Sequence, residues 1–138
     1  MAEFSLPLRV YIEDTDAGGI VYYVNYLKYM ERARTELMRS LGLHREAIFS
    51  GQMMFVVSDL ALQYHQPARL DDELLASAAI ERVGGASLRL RQSVRHKGDL
   101  LVDGHVSIAC VSPENLRPRR IPKAMLATLR GALQPSGD

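Results

Sequence analysis

The sequence predicts an α+β fold in which a five-stranded antiparallel sheet carries one long helix on its concave face. Apolar residues alternate with polar ones near the N-terminus, recur at three- and four-residue steps from about Tyr23 to Leu41, and alternate again in four later runs. Clusters of glycine, proline and aspartate fall where the period changes. The order strand, long helix, four strands needs one helix to cover one face of one sheet.

Each element has its own signal. In residues 6 to 13, Leu8, Val10 and Ile12 face one side and Arg9, Tyr11 and Glu13 the other, the pattern of a half-buried first strand. Asp14-Thr15-Asp16-Ala17-Gly18-Gly19 stops it with residues that bend the chain or bond their own backbone. Tyr26, Met30, Ala33, Leu37 and Leu41 then line one face of the long helix, which Gly42 ends in a left-handed backbone position, with Arg39 at the negative end of the dipole. A short helical piece is expected around 44 to 50.

Residues 54 to 65 place Val56, Leu60, Leu62 and Tyr64 at even positions, and Pro67 closes this strand because proline cannot donate to a ladder. Strands at about 73 to 83, 86 to 97 and 100 to 112 follow, separated by Gly84-Gly85 and by Lys97-Gly98-Asp99, lengths that suit antiparallel hairpins. Pro113, Pro118 and Pro122 punctuate a loop, and 122 to 133 reads as a closing helix with proline in its first turn. One domain over residues 1–133 is expected, with 134–138 as a frayed tail. A sheet of this kind has exposed edges, and pairing two subunits edge to edge would cover them.

Composition narrows the function. At 138 residues and 47% hydrophobic, the chain is long enough to bury a core without disulfides or metals. Its single cysteine, Cys110, lies in an apolar run and reads as a small buried hydrophobe rather than a nucleophile. A net charge of +1 gives no overall drive toward nucleic acid or anionic membrane. The N-terminus lacks a basic region followed by an apolar stretch, and no window is apolar enough for a transmembrane segment, so a cytoplasmic protein is expected. His44, His65, His96 and His105 show no metal-site spacing, and no metal is expected.

The chemistry concentrates at Asp14 and Asp16, just before Gly18-Gly19 and the long helix. Unpaired N–H groups at a helix start can hold a developing oxyanion, and glycine lets a ligand approach the backbone. A carboxylate beside such amides combines a base with a carbonyl-polarising group, the pairing that thioester hydrolysis requires. Taken alone, the spacing favours the plainer reading of two aspartates that bond turn amides, because capping and turn roles dominate for Asp before a helix. Two basic groups stand apart: Arg89, Arg91 and Arg95 on one strand face, read as a solvent face, and Arg117, Arg119, Arg120 and Lys123 before the last helix, which fit either phosphate oxygens or an ordinary solvated basic loop.

The run Val10-Tyr11-Ile12-Glu13-Asp14-Thr15-Asp16-Ala17-Gly18-Gly19-Ile20-Val21-Tyr22, with Asn25-Tyr26 and Glu31-Arg32-Ala33-Arg34-Thr35-Glu36, resembles the Tol-Pal-associated acyl-CoA thioesterases, relatives of 4-hydroxybenzoyl-CoA thioesterase. The resemblance continues through Pro67-Ala68-Arg69-Leu70-Asp71-Asp72, Ser87-Leu88, Arg117-Pro118-Arg119 and Ile121-Pro122-Lys123. It implies the hot-dog fold, a homodimer or homotetramer with shared active sites, and hydrolysis of a short-chain or aromatic acyl-CoA or an acyl carrier protein thioester. Coenzyme A is then part of the substrate and no cofactor is needed.

By the same resemblance Asp16 is the catalytic carboxylate, as general base or nucleophile, and the backbone amide of Tyr23 polarises the carbonyl. Gly19, Val21, Tyr22, Ser87, Arg117, Arg119 and Arg120 fall at substrate-binding positions, Ser87 facing the partner subunit's thioester. One departure is plain: many members carry histidine where this chain has Tyr23. His65 likewise replaces a commoner apolar or aromatic residue. Two other readings compete, a hot-dog dehydratase or hydratase and an envelope-linked acyl-binding module without turnover. The first wants a histidine placed for proton transfer, but the helix start offers Asp16 with none nearby.

Overall fold

A computed structural model of the chain describes residues 3–45 and 51–134. The elements are β1 (Phe4–Arg9), a 3-10 turn (Ile12–Asp14), α1 (Asn25–Ser40), β2 (Met54–Tyr64), β3 (Glu73–Val83), β4 (Ser87–His96), β5 (Asp99–Val111) and α2 (Lys123–Gly131). The five strands form one antiparallel sheet in the order β1-β3-β4-β5-β2. β1 and β2 are its edges, and Pro7 sits in β1 opposite Leu75, as expected of a residue that cannot complete a central ladder.

Helix α1 packs its apolar stripe on the sheet. Tyr26, Met30, Ala33 and Leu37 are buried with Leu74, Ala76, Ala78 and Ile80 of β3, Leu88, Leu90 and Val94 of β4, and Val102, Val106 and Ile108 of β5. Ala76 and Ala78, both fully buried, keep β3 low enough for the helix to settle close. Gln92 of β4 is a buried polar residue facing the helix. Gln92 donates to the Met30 and Ser77 carbonyls and accepts from Arg34, tying the helix to the middle of the sheet. Gly42 ends α1 at φ +82°, with Gly42 N–H bonded to Arg39 O and Leu43 N–H to Met38 O, the glycine stop expected of this sequence.

The outer face of the sheet is polar. Glu81 lies between Arg89, Arg91 and His105 at 3.1–3.4 Å, so two of the arginines read as a solvent face are drawn into one ion-pair group. Lys97 and Gly98, both at positive φ, make the two-residue turn between β4 and β5. Gly104 in β5 sits opposite Leu62, where a Cβ would run into the carbonyl oxygen of Ala61 and the backbone of Leu62.

Three boundaries differ from expectation. The first strand runs over residues 4 to 9, not 6 to 13, because Asp14 closes a 3-10 turn on Tyr11: its N–H donates to Tyr11 O and its Oδ2 accepts from Tyr11 N–H. Val10 is buried as the alternation requires, whereas Ile12 is 76% exposed. The long helix begins at Asn25 rather than Tyr23, after a turn through Tyr23 and Val24. Gln134 is not frayed, since its N–H bonds Ile80 O, while residues 135–138 and most of the short helical piece around 44 to 50 lie outside the described residues. Among the described residues no helix is long and apolar enough to cross a membrane.

Candidate active site

Residues 14 to 22 fold back on themselves as a small two-armed loop. Thr15 pairs with Val21, Asp16 N–H bonds Ile20 O, and Tyr22 N–H bonds Asp14 O. Gly19 turns the chain at φ +78°. The loop is held from below, since Val21 N–H bonds Ala68 O, Leu70 N–H bonds Gly19 O, and Ile20 pairs with Arg69. Val21 is buried and anchors the loop, while Tyr22 and Tyr23 stay exposed beyond it.

Within the loop the two aspartates differ. Asp14 is buried and works on the backbone, its Oδ2 holding Tyr11 N–H and its carbonyl holding both Tyr22 N–H and the Asn25 side chain. Asp16 is exposed, and its Oδ1 accepts from Gly18 N–H at 2.9 Å. Both turn roles foreseen as the bland reading are therefore present. Asp16 nevertheless keeps a second oxygen free of any partner among the described residues. Asp14 is thus spent on backbone bonds, and Asp16 keeps an exposed carboxylate oxygen.

The helix start supplies donors. Asn25 N–H bonds Tyr22 O, Tyr26 N–H bonds Tyr23 O and Leu27 N–H bonds Val24 O, which leaves the N–H groups of Tyr23 and Val24 without an acceptor among the described residues. These amides lie at the positive end of a 16-residue helix. An open pocket of about 250 Å³ adjoins them, lined by Ile20, Val21, Tyr23, Tyr26, Tyr64, His65, Gln66 and Pro67. Asp16 does not line it in the single chain. His65 does, but its Nε2 is paired with Asp103 Oδ1 at 2.7 Å.

Tyrosines wall this corner. Tyr23 and Tyr26 each meet the Tyr64 ring edge to face, Tyr26 meets Tyr29 the same way, and Tyr64 OH donates to Tyr23 O at 3.2 Å. Burial raises the Tyr26, Tyr29 and Tyr64 hydroxyls above the usual tyrosine range, and the Asp14 carboxylate pushes Tyr29 further in the same direction. The folded state thus binds protons that the unfolded chain releases near pH 10. Stability carried by these groups is complete below that pH and falls as pH rises toward the folded values. Alkaline titration should show tyrosinate absorbance from Tyr26 and Tyr29 only together with loss of the circular dichroism signal.

The other expected site residues sit elsewhere. Ser87 begins β4 and pairs with Ala109, and the loop after β5 docks there: Val111 pairs with Pro118, Arg119 N–H bonds Cys110 O, Ile121 N–H bonds Gly85 O, and the Arg120 guanidinium lies over Gly85. Arg117, Arg119, Arg120 and Lys123 are exposed, with no ion pair among the described residues. Cys110 beneath them is buried, and burial raises its thiol, consistent with a packing role. The helix-start corner is at the opposite end of the sheet, because Tyr64 pairs with Val102. From Val102 to Ala109 the strand covers about 24 Å at roughly 3.4 Å per residue. One chain therefore brings Asp16, Gly19, Val21, Tyr22 and Tyr23 together but keeps Ser87, Arg117, Arg119 and Arg120 apart from them.

Sequence reasoning missed Asn25 and Tyr64 as site residues. The sequence marks Asn25 only as part of the resembling run and Tyr64 only as an even-position residue of its strand; their contacts across 11 and 41 positions have no signature in a single chain.

A helix laid along a five-stranded antiparallel sheet, with a carboxylate loop folded against the helix start, defines a hot-dog protein of the thioester-hydrolase class. The thioesterase superfamily pattern matches residues 18–102. The chain is 40% identical over 128 residues to "Acyl-CoA thioester hydrolase YbgC" of Escherichia coli O6:H1, spanning 92% of this chain and 96% of that protein. It is 40% identical over 125 residues to "Acyl-CoA thioesterase YbgC" of Haemophilus influenzae, covering 90% and 92% of the two chains. The crystal structure of a "Probable Thioesterase from Bartonella henselae" superposes with a TM-score of 0.82 at 34% identity, covering 88% of this chain and all of the other. The chain belongs to the thioesterase superfamily.

Proposed function

We propose that this protein hydrolyses the thioester of a short-chain or aromatic acyl-CoA, or of an acyl carrier protein, to the free acid and thiol. What supports the reading is that the folded loop carrying the exposed Asp16 carboxylate runs straight into the unpaired amides at the start of α1. The Tyr23 N–H takes the carbonyl oxygen as it gains negative charge, so that carbon becomes electrophilic without a metal. Asp16 takes a proton from the attacking water and returns it to the thiolate that leaves as the C–S bond breaks, or attacks the carbonyl itself, expelling the thiolate to give an anhydride that water then opens to the acid, restoring the carboxylate and supplying the thiol's proton. Tyr23 in place of the family's common histidine leaves this donor intact, because the backbone supplies it. Gly19, Val21 and Tyr22 shape the approach to the carbonyl.

The working unit in this reading is at least a homodimer, and a tetramer is compatible with it. β2 has β5 on one side and no strand on the other among the described residues, with Val57, Leu60 and Tyr64 exposed along it. Two copies joined antiparallel through β2 would set the Met54 end of one beside the Tyr64 end of the other. The Ser87 and Arg117–Arg120 end of one protomer would then face the Asp16 end of its partner, which supports a shared site and phosphate contacts from Arg117, Arg119 and Arg120 to coenzyme A. A cytoplasmic location and the Tol-Pal association that the resemblance implies belong to the same reading.

A panel of acyl-CoA esters assayed with a thiol reagent tests hydrolysis. Thiol release from at least one short-chain or aromatic ester is expected, and binding without release from any would reject it. Arg119→Ala should raise KM about 3- to 10-fold and leave kcat nearly unchanged, since a solvent-exposed phosphate contact acts away from the reacting carbon. An unchanged KM would remove Arg119 from the site.

A further inference from the structure

We infer that Asn25 is a positioning residue for thioester hydrolysis: its side-chain amide locks the Asp16 segment to the start of α1. This rests on the assignment of Asp16 and the Tyr23 amide made under Proposed function. Asn25 is the first residue of α1 and is buried. Its Nδ2 donates 2.8 Å to Asp14 O, and its own N–H bonds Tyr22 O. The acceptor lies two residues before Asp16, and the donor two residues after Tyr23. One side chain thus bridges the backbones that carry the two reacting groups.

Two further bonds show that this corner is held from several directions. Tyr64 OH donates to Tyr23 O from β2, and Tyr26 OH accepts from Ala68 N–H below the loop. Neither reaches the Asp14–Asp16 arm. The backbone bond from Tyr22 N–H to Asp14 O does, yet it joins loop to loop, and the helix reaches Tyr22 only through its own first N–H. Among the described residues the Asn25 side chain is the one that bonds the backbone of that arm to the helix, while the Tyr29 hydroxyl of α1 meets only the Asp14 carboxylate. Carboxylate and amide must be aligned on one carbonyl, and a displacement of about 1 Å at such a centre costs roughly 100-fold in rate.

Asn25→Leu keeps the side-chain shape and removes the donor, while Asn25→Ser keeps a shorter donor. The expected result is a fall in kcat of about 10- to 100-fold for Asn25→Leu with KM within about twofold, and a smaller fall for Asn25→Ser. Wild-type kcat in a folded Asn25→Leu protein would overturn the inference, as would KM and kcat changing together in both variants. Should Asn25→Leu fail to fold, kcat of Asn25→Ser equal to wild type would overturn it alone. Asp16→Asn, run beside them, separates the two levels: loss of turnover there with wild-type rates in both Asn25 variants rejects only the positioning role, and retained turnover there rejects the active-site assignment.

Discussion

Asp16→Asn is expected to lower kcat by about 100- to 10,000-fold while the melting temperature and affinity for coenzyme A stay near wild type. The amide oxygen that replaces Oδ1 can still accept from Gly18 N–H, so the turn survives. What disappears is the charge. A neutral amide neither takes a proton from water near neutral pH nor attacks a carbonyl, so both routes fail together. Mixing this variant with Arg119→Ala adds a test of the shared site. Hybrids formed across β2 would contain one site with Asp16 and Arg119 both intact, and turnover at low substrate that neither variant shows alone should appear. Full activity in Asp16→Asn would remove the carboxylate from the chemistry.

Gly104→Ala is expected to be the most damaging small substitution in the sheet, at about 2–3 kcal/mol, or a drop in melting temperature of roughly 10 °C. The added methyl would be aimed at the backbone of Ala61 and Leu62, which cannot rotate away as a flexible side chain could. β2 must separate from β5, and it has no second neighbour among the described residues to hold it. Hydrogen exchange should then speed up first along residues 58 to 64. Activity should fall with it, because Tyr64 at the end of β2 bonds the Tyr23 carbonyl. A melting temperature equal to wild type would show that the strand yields freely.

Most of the architecture was legible because it follows from periodicity and punctuation, both local properties. The switch from alternation to three- and four-residue spacing located α1 within two residues, and Gly42, Gly84-Gly85 and Lys97-Gly98 marked their turns. β1 was misplaced where two local signals conflict: alternation runs on through Ile12, but the Asp14 carboxylate bonds Tyr11 N–H and closes a turn first. The loop holding Asp16 was legible from residue types alone. Its hold on the rest of the molecule was not, since Ala68, Arg69 and Asn25 reach it through contacts that only the folded register creates. Glu81 is a similar case, because Arg89, Arg91 and His105 surround it only once three strands are aligned.

Pro7 has a consequence for how the sheet can grow. A strand that lacks one donor makes a poor template for another molecule, so β1 resists the head-to-tail stacking in which each chain lends one margin to the next. Such stacking has no natural end and produces fibres. If two copies join at β2 as proposed, the blunted β1 margin does not compete with that contact, and like-to-like joining closes after two chains. In that arrangement a single imino acid weighs against a filament.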